Sequence, residues 1–353
     1  MMISNKINLF SLWLITLLAC VISIILIGGY TRISDSGLSI TEWEPISGIL
    51  FPLTSSAWSQ EFDKYKLIDE FKLINSSMTL KEFKVIYFWE WFHRAFARLI
   101  GAIYIIPFIY LAYNEKIEKK YLQNLFIIGL LLIIQAFIGW YMVKSGLVNR
   151  VDVSQYRLAL HLTTAFIILG FIFHTLLSFY LDNKLISNRS IFSNNSSKLL
   201  LIFFILIFFQ ISYGAFVSGT HSGLLYNTWP LYDGYLIPNI LNNNFFKINY
   251  LFENSNLIIF IHRSFAILLF ILLIFLNYKT LLNKLNNKYL SLIILFNISF
   301  ILQAALGIVM TYLNIPWYLA LLHQGNSIIM FLLVFAMYLL STKPSLNETQ
   351  GRL

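Results

Sequence analysis

Long apolar runs separated by shorter polar segments make up most of the chain. Each run is close to the roughly 20 residues that a helix needs to cross the hydrocarbon core of a bilayer. Because backbone groups in lipid must be hydrogen-bonded within the spanning structure, runs of this length favour helices over barrel strands. The pattern predicts an all-α polytopic membrane protein with eight transmembrane helices, at roughly 9–29, 93–113, 121–143, 157–181, 198–218, 256–277, 289–313 and 317–340.

Charged residues are scarce. They form 12% of the 353 residues, whereas hydrophobic residues form 58%, and soluble domains average roughly a quarter charged residues. This composition excludes a soluble enzyme and a nucleic-acid-binding module. The net charge of +9 does not change this, because much of it lies in short loops where it sets membrane topology. The single cysteine, Cys20, excludes an internal disulfide and a CxxC metal site.

Lysine and arginine in the connecting loops predict the orientation. The loops after the second, fourth and sixth apolar segments carry three each: Lys116, Lys119, Lys120, Lys184, Arg189, Lys198, Lys279, Lys284 and Lys288. The loop after the fifth segment has only Lys247, and the loop after the seventh has none. The loop after the third segment opposes the trend with Lys144, Arg150 and Arg157. We expect cytoplasmic termini and outer loops at 30–92 and 219–255. Since the short amino terminus lacks arginine, we expect a bacterial inner membrane.

The two halves of the chain resemble each other. Four pairs of stretches align: FHRAFARLIGA (92–102) with IHRSFAILLFI (261–271), LLIIQAFIGWYM (131–142) with SFILQAALGIVM (299–310), YRLALHLTTAF (156–166) with WYLALLHQGNSI (317–328), and, more weakly, GGYTRISDSGL (28–38) with GAFVSGTHSGL (214–224). Each half holds an even number of apolar segments, so both enter the membrane in the same sense. We predict two pseudo-symmetric four-helix bundles, residues 1–190 with the long outer loop 30–92 and residues 191–353.

Four of the six histidines fall at equivalent places in this repeat, His93 and His161 in the first half and His262 and His323 in the second. We expect them near the starts of the even-numbered helices, within roughly 9 Å of the outer surface at 1.5 Å per residue. A lone intramembrane histidine more often hydrogen-bonds in helix packing. Four at one depth, paired within each bundle, favour axial ligation of two heme irons. Zinc would normally require further donors, and no cysteine or carboxylate cluster supplies them.

Neighbouring residues suit a flat, acidic ligand. The fourth residue after each histidine is small, which leaves room for a porphyrin edge or permits close helix packing. These residues are Ala97, Ala165, Ala266 and Ser327. Arg94 and Arg263 directly follow their histidines, where they suit heme propionates or act as snorkelling anchors. His174 lies well off the face of His161 and is expected to be structural, and His221 is expected to be solvated in an outer loop.

The two halves differ at one carboxylate. Glu90 stands three residues before His93, on the same helical face and one turn outward, whereas the matching residue before His262 is Ile259. A carboxylate at a partly buried heme edge could accept a proton or stabilise developing positive charge. The alternative is an interfacial glutamate that pairs with Arg94 at i,i+4.

The first half also contains the long outer loop. Its Trp58, Phe62 and Tyr65 stand at helical spacing, which predicts a helical segment that lies on the membrane surface and covers the site. Together with Glu90, this loop identifies the N-terminal bundle as the reactive half. We expect the C-terminal bundle to serve in electron transfer.

At these residues the chain resembles the heme A synthases, which convert heme O to heme A for cytochrome oxidase. The stretches that carry the resemblance span most of the chain: GGYTRISDSGLSITEWEPISG (28–48), EFDKYK (61–66), EFKVIYFWEWFHRAFARLIG (82–101), YRLALHL (156–162), GLLYNTWPLYDG (223–234) and LALLHQ (319–324). The long first loop, which has no cysteine pair, is similar to that of the alphaproteobacterial and mitochondrial branch.

The resemblance implies an oxidoreductase in which a methyl group of heme O becomes a formyl group with oxygen from water. It implies a catalytic role for Glu90. The heme-binding residues it implies are His93 and His161 for the substrate heme, and His262 and His323, with Arg263 beside them, for a heme b cofactor. By pathway logic, a heme O synthase and cytochrome oxidase assembly factors are expected partners. Membrane lipid surrounds the helices, no nucleic acid is expected, and a homo-oligomer is compatible with the sequence.

Two other functions explain part of the pattern. A non-catalytic diheme b-type cytochrome that exchanges electrons with quinone accounts equally well for the four histidines, but not for Glu90 or the long first loop. A transporter built from parallel repeats predicts broken helices and polar groups at the membrane midplane. The candidate residues cluster instead towards one surface.

Overall fold

The computed structural model describes residues 9–44, 47–114, 117–148, 150–183, 194–238, 248–282 and 287–342, and within these every regular element is a helix. In chain order the α-helices are α1 (Leu9–Ile33), α2 (Ser55–Tyr65), α3 (Asp69–Leu73), α4 (Leu80–Tyr113), α5 (Lys119–Gly146), α6 (Gln155–Asn183), α7 (Asn194–Gly219), α8 (Tyr250–Glu253), α9 (Ser255–Leu282), α10 (Asn287–Tyr312) and α11 (Trp317–Thr342). In these described ranges, eight helices are long and apolar enough to cross a membrane: α1, α4, α5, α6, α7, α9, α10 and α11. The predicted all-α membrane fold with eight spans is confirmed.

The helix α4 begins well before the apolar run that predicted it. Thr79 caps its start: the Glu82 carboxylate accepts a hydrogen bond from Thr79 N at 2.7 Å, and Glu82 N donates to Thr79 Oγ1 at 3.4 Å. His93 is therefore the fourteenth residue of α4, and the prediction that it lies near the start of its helix is wrong. Charged residues interrupt the hydropathy of the first three turns, but the capping box still starts the helix there. The other three candidate histidines do lie near the starts of their helices: His161 and His323 are the seventh residues of α6 and α11, and His262 is the eighth of α9.

The long loop between α1 and α4 folds against this amino-terminal extension of α4. The helix α2 buries Trp58, Phe62 and Tyr65 against Phe83 and Tyr87 of α4. The helix that the spacing of these three residues predicted is therefore confirmed. The apolar face of α2 contacts protein, and its predicted place on the membrane surface stays a prediction.

The chain divides into two compact units, Met1–Leu176 and Leu177–Leu353. In the first unit α1 packs against α4, and in the second α7 packs against α9 and α11, and α10 against α11. The predicted boundary at 190/191 lies outside the described residues and stays a prediction, as do the bundle symmetry and the membrane orientation. Several loop residues that underlie the orientation also lie outside the described ranges: Lys116, Lys184, Arg189, Lys247 and Lys284.

Candidate functional site

His93 of α4 and His161 of α6 lie close together in the first unit. Their ring centroids are 6.5 Å apart, and the ring planes are inclined by 46°. Metal–imidazole bonds are about 2 Å long, so two imidazoles on opposite sides of one metal ion have ring centres roughly 6 Å apart. The separation of this pair suits two axial ligands of one iron.

Each histidine of this pair lies against a glycine on another helix. An ideal Cβ built on Gly28 of α1 would stand 3.0 Å from Cε1 of His93, and one built on Gly139 of α5 would stand 3.1 Å from Cε1 of His161. Real Cβ atoms are rarely so close to a neighbour, so the missing side chains make room for the imidazole edges. The two glycines therefore help to determine where the rings lie.

The second unit repeats this arrangement. A Cβ on Gly214 of α7 would stand 3.4 Å from Cε1 of His262, and one on Gly307 of α10 would stand 3.3 Å from Cε1 of His323. The chemistry of glycine does not mark these residues, but the sequence repeat pairs them. Gly214 aligns with Gly28 in the weakest repeat stretch, and Gly307 aligns with Gly139.

Glutamines from adjacent helices support two of the histidine backbones. Gln135 Nε2 donates to the carbonyl oxygen of His161 at 3.0 Å, and Gln210 Nε2 donates to that of His262 at 3.0 Å. The Nδ1 atoms of His161, His262 and His323 are buried and, in the part of the chain that the structure describes, have no hydrogen-bond partner. Buried polar atoms without partners are costly and rare. An imidazole with an uncommitted ring nitrogen is suited to metal ligation.

The paired histidines fit heme better than a bare metal ion. Among the described residues, no group of three or more histidine, cysteine, aspartate or glutamate side chains could hold a metal. Zinc sites normally use at least three such ligands. A heme iron takes its equatorial ligands from the porphyrin and needs only axial ligands from the protein.

Glu90 is buried one helical turn before His93 on α4, with 3% of its surface exposed. One carboxylate oxygen pairs with the guanidinium of Arg94. The other accepts hydrogen bonds from Ser39 Oγ at 2.7 Å and from Ile40 N at 2.8 Å. The i,i+4 pairing with Arg94 that the sequence offered as an alternative is therefore present. It fixes the carboxylate beside the candidate ligand.

The arginines of α4 hold the segment that follows α1. Arg94 donates to the carbonyl oxygens of Ile40 at 3.0 Å and Glu42 at 3.3 Å, and Arg98 donates to that of Glu44 at 2.9 Å. These hydrogen bonds hold residues 40–44 against α4. The propionate contact predicted for Arg94 stays a prediction. The structure shows that its N–H groups donate to the carbonyl oxygens of this segment.

Arg263 has the equivalent role in the second unit. It is buried, and it donates to the carbonyl oxygens of Tyr226 at 3.1 Å and Thr228 at 2.9 Å. Ile259, which replaces the carboxylate of the first half, is buried with Tyr226 and Tyr232. In each unit, the arginine that follows the histidine donates hydrogen bonds to the carbonyl oxygens of a loop. In the first unit, Arg94 also pairs with Glu90. The heme contact predicted for Arg263 stays a prediction.

The small residues that follow the histidines differ in burial. Ala97 and Ala266 are exposed, Ala165 is buried, and Ser327 is intermediate. Ser327 Oγ donates to the carbonyl oxygen of Gln324 at 2.6 Å. The exposed pair occupies equivalent places in the repeat. Room for a porphyrin edge at these residues stays a prediction.

The two remaining histidines lie apart from the paired sites. His174 Nδ1 is 3.3 Å from Asn124 Nδ2, on the facing helix α5, which agrees with the structural role expected for it. His221 is exposed and precedes the short 3-10 helix Ser222–Leu224. This agrees with its expected place at the surface.

A second buried carboxylate, Glu70, was not singled out in the sequence. It is 5% exposed, and Asn75 Nδ2 lies 3.4 Å from its Oε1 and 2.8 Å from the hydroxyl of Tyr65. Burial, followed by the negative charge of Glu90, raises the pKa of Glu70 to about 8. Glu70 belongs to the outer cluster formed by α2, α3 and α4, and only the fold brings it near Glu90.

Comparison with known proteins finds relatives along nearly the whole chain. The family model described as cytochrome oxidase assembly protein matches residues 11–335. The chain is 40% identical over 323 residues to a protein named heme A synthase from Wolbachia pipientis wMel, covering 91% of this chain and 89% of that one. It is 39% identical over 326 residues to a protein of the same name from Pelagibacter ubique (strain HTCC1062), covering 92% and 94%. A third, from Bartonella tribocorum, is 39% identical over 321 residues, covering 90% and 88%.

Proposed function

The chain belongs to the cytochrome oxidase assembly protein family, and from this premise we propose that it carries out the reaction named for its relatives, the conversion of heme O to heme A. In this reaction a methyl group of the substrate heme is oxidised to a formyl group with oxygen from water. The observation that carries the proposal is the His93–His161 pair, whose ring centroids are 6.5 Å apart, together with the carboxylate of Glu90 one helical turn before His93. We assign the substrate heme to this pair.

The residues of the first unit can position and polarise such a substrate. Gly28 and Gly139 leave space for the two imidazole edges, so the rings can meet opposite faces of a flat macrocycle. Arg94, Ser39 and the backbone of Ile40 hold the Glu90 carboxylate in place. A fixed negative charge at this point stabilises positive charge that develops on the substrate edge, and a carboxylate can also accept a proton released in the oxidation.

His262 and His323 are the proposed axial ligands of a heme b cofactor. Gly214 and Gly307 lie against their rings as the glycines of the first unit do, and both Nδ1 atoms are buried without a partner among the described residues. A heme bound there would supply a one-electron acceptor for the oxidation. Ile259 places an apolar side chain where the first unit has Glu90, so a carboxylate that could take up a proton is missing at this position.

Extraction of pigments from the purified protein tests the proposal. We expect heme B together with heme O or heme A, identified by chromatography and mass. Heme B alone, in two equivalents, would support a non-catalytic diheme cytochrome instead. A protein that binds no heme would exclude both functions. Conversion of added heme O to heme A by the purified protein, given an electron acceptor, tests the reaction itself.

A further inference from the structure

Arg157 has a guanidinium donor that no group in the described part of the chain uses. Its Nη1 is buried and has no hydrogen-bond partner, and the side chain joins none of the ion pairs found in the described ranges. The guanidinium carbon lies 4.8 Å from the centre of the Tyr141 ring on α5. A cation–π contact leaves the N–H groups of the guanidinium unsatisfied. Arg157 therefore still has donors for an anion.

Arg157 shares a face of α6 with a proposed heme ligand. His161 follows it by four residues, which places the two side chains on one face and about 6 Å apart along the axis at 1.5 Å per residue. Both contact α5, His161 at Gly139 and Arg157 at Tyr141, two residues further along. The guanidinium thus stands one turn from the imidazole, towards the amino-terminal end of α6.

The other arginines near this site already have acceptors. Arg94 donates to Glu90 and to the loop carbonyls, and Arg98 donates to the carbonyl oxygen of Glu44. Arg32 at the end of α1 pairs with two aspartates, Asp35 at 3.1 Å and Asp152 at 2.9 Å. An acid group that reached Arg94 or Arg32 would have to displace ion pairs, whereas at Arg157 it would displace no hydrogen bond or ion pair found in the described ranges.

The arginine is also confined to the first unit. Four residues before His323 the chain has Leu319, and the one-residue slip of the repeat brings Tyr318 to the matching place. Glu90 shows the same asymmetry, since Ile259 replaces it, and so does Arg98, which aligns with Ile267. Arg157 is therefore one of the residues that distinguish the substrate half from the cofactor half.

We propose that Arg157 binds a propionate carboxylate of the substrate tetrapyrrole and thereby sets the rotation of the ring about its iron axis. The inference rests on the proposed function, since it takes the ligand of His93 and His161 to be the substrate heme. A planar guanidinium suits a carboxylate because two parallel hydrogen bonds can form. Fixing the acidic edge of the ring also fixes which edge faces Glu90, so Arg157 is a substrate-positioning residue.

Binding of two forms of heme O tests this assignment. Heme O and heme O with both propionates converted to methyl esters are titrated into the purified full-length protein, and binding is followed by the Soret absorbance. Binding that persists in His161→Ala is subtracted, so that only the first site is measured. The wild-type protein should bind the free acid at least about tenfold more tightly than the ester, as expected for a charge-assisted pair.

Variants of Arg157 separate recognition of the carboxylate from helix packing. Arg157→Gln should bind both forms with the affinity that the wild type has for the ester, and Arg157→Lys should recover part of the preference. The matched control is Arg150→Gln, which removes an exposed arginine of the preceding loop that hydrogen-bonds the carbonyl oxygen of Asp152, and it should keep the full preference. Equal weakening of both forms by Arg157→Gln, or an undiminished preference, would overturn the assignment.

The same samples distinguish failure of this inference from failure of the proposed function. If the wild-type protein prefers the free acid and Arg157→Gln loses this preference, but the wild type forms no heme A, the carboxylate site is retained and the reaction is refuted. If the wild-type protein forms heme A and Arg157→Gln does so with the same KM for heme O, the reaction is retained and the role of Arg157 is refuted.

Discussion

Gly139 of α5 and His161 of α6 touch so closely that a side-chain carbon does not fit between them. A Cβ on Gly139 would stand 3.1 Å from Cε1 of the imidazole, so the ring would have to give by a few tenths of an ångström. The glycine is thus part of the geometry that determines the spacing of the proposed ligand pair.

Replacement of Gly139 by alanine should therefore displace the His161 ring by a few tenths of an ångström. Because axial bonds are short and directional, we expect several-fold weaker binding of heme O at the first site and a shifted low-spin absorption spectrum. The matched control is Gly101→Ala on α4, where no atom lies within 4 Å of the added carbon. Equal effects of the two substitutions on heme O binding would show that the contact with His161 is unimportant.

Replacement of Glu90 by glutamine should separate heme binding from heme conversion. The variant keeps the size of the side chain but removes the negative charge that Arg94 and Ser39 hold in place. We expect heme content near that of the wild type and a fall in heme A formation of roughly a hundredfold, the usual size for loss of one preorganised electrostatic group. Heme A output is measured in cells supplied with heme O.

Two variants control this result. Glu42→Gln removes an exposed glutamate that pairs with Lys64 in the same outer loop, and it should leave heme A formation unchanged. Ser39→Ala keeps the charge of Glu90 and removes one of the hydrogen bonds that hold it, so it should lower the output by less than Glu90→Gln does. Normal heme A output from Glu90→Gln would refute the catalytic assignment.

Glu70 should make the outer cluster sensitive to alkaline pH. An unfolded glutamate ionises near its ordinary pKa of 4.5, whereas the folded group holds its proton until about pH 8. A raised pKa in the folded state means that stability is greatest below pH 4.5 and declines as the pH rises towards 8. The charged groups that act on Glu70 are negative, namely Glu90, Asp35 and Asp152, and they oppose its ionisation.

Limited proteolysis of residues 55–75 measures this effect. Between pH 5 and pH 9, cleavage of the wild type should accelerate more than that of Glu70→Gln, by at least about tenfold, the factor for one unit of pKa difference. Asp63→Asn, at an exposed aspartate paired with Lys66, should behave as the wild type does. The same pH dependence in Glu70→Gln would mean that another group is responsible.

Local patterns predicted much of this architecture. The length and apolarity of a span are properties of contiguous sequence, so the eight helices were predictable. The repeat also singled out His93 and His161, and the structure places their rings close together. The start of α4 was missed because Glu82 and its charged neighbours interrupt the apolar run, although the Thr79 cap begins a helix there.

Contacts between distant segments could not be predicted in the same way. Glycine has no side-chain chemistry to mark its role, so the position of Gly28 against His93 emerges only from the packing of α1 on α4. The burial of Glu70 depends on α2, α3 and α4 coming together in the outer cluster. The unsatisfied donor of Arg157 likewise depends on which groups the folded chain places around its side chain.

The division of the chain into a substrate half and a cofactor half is tested most directly by the pigments that single histidine variants retain. His93→Ala and His161→Ala should lose heme O and heme A and keep heme B, whereas His262→Ala and His323→Ala should lose heme B. The content of each heme, extracted and measured per mole of protein, gives the answer. Loss of the same heme from variants of both pairs would contradict the division, and with it the assignment of the reaction to the first unit.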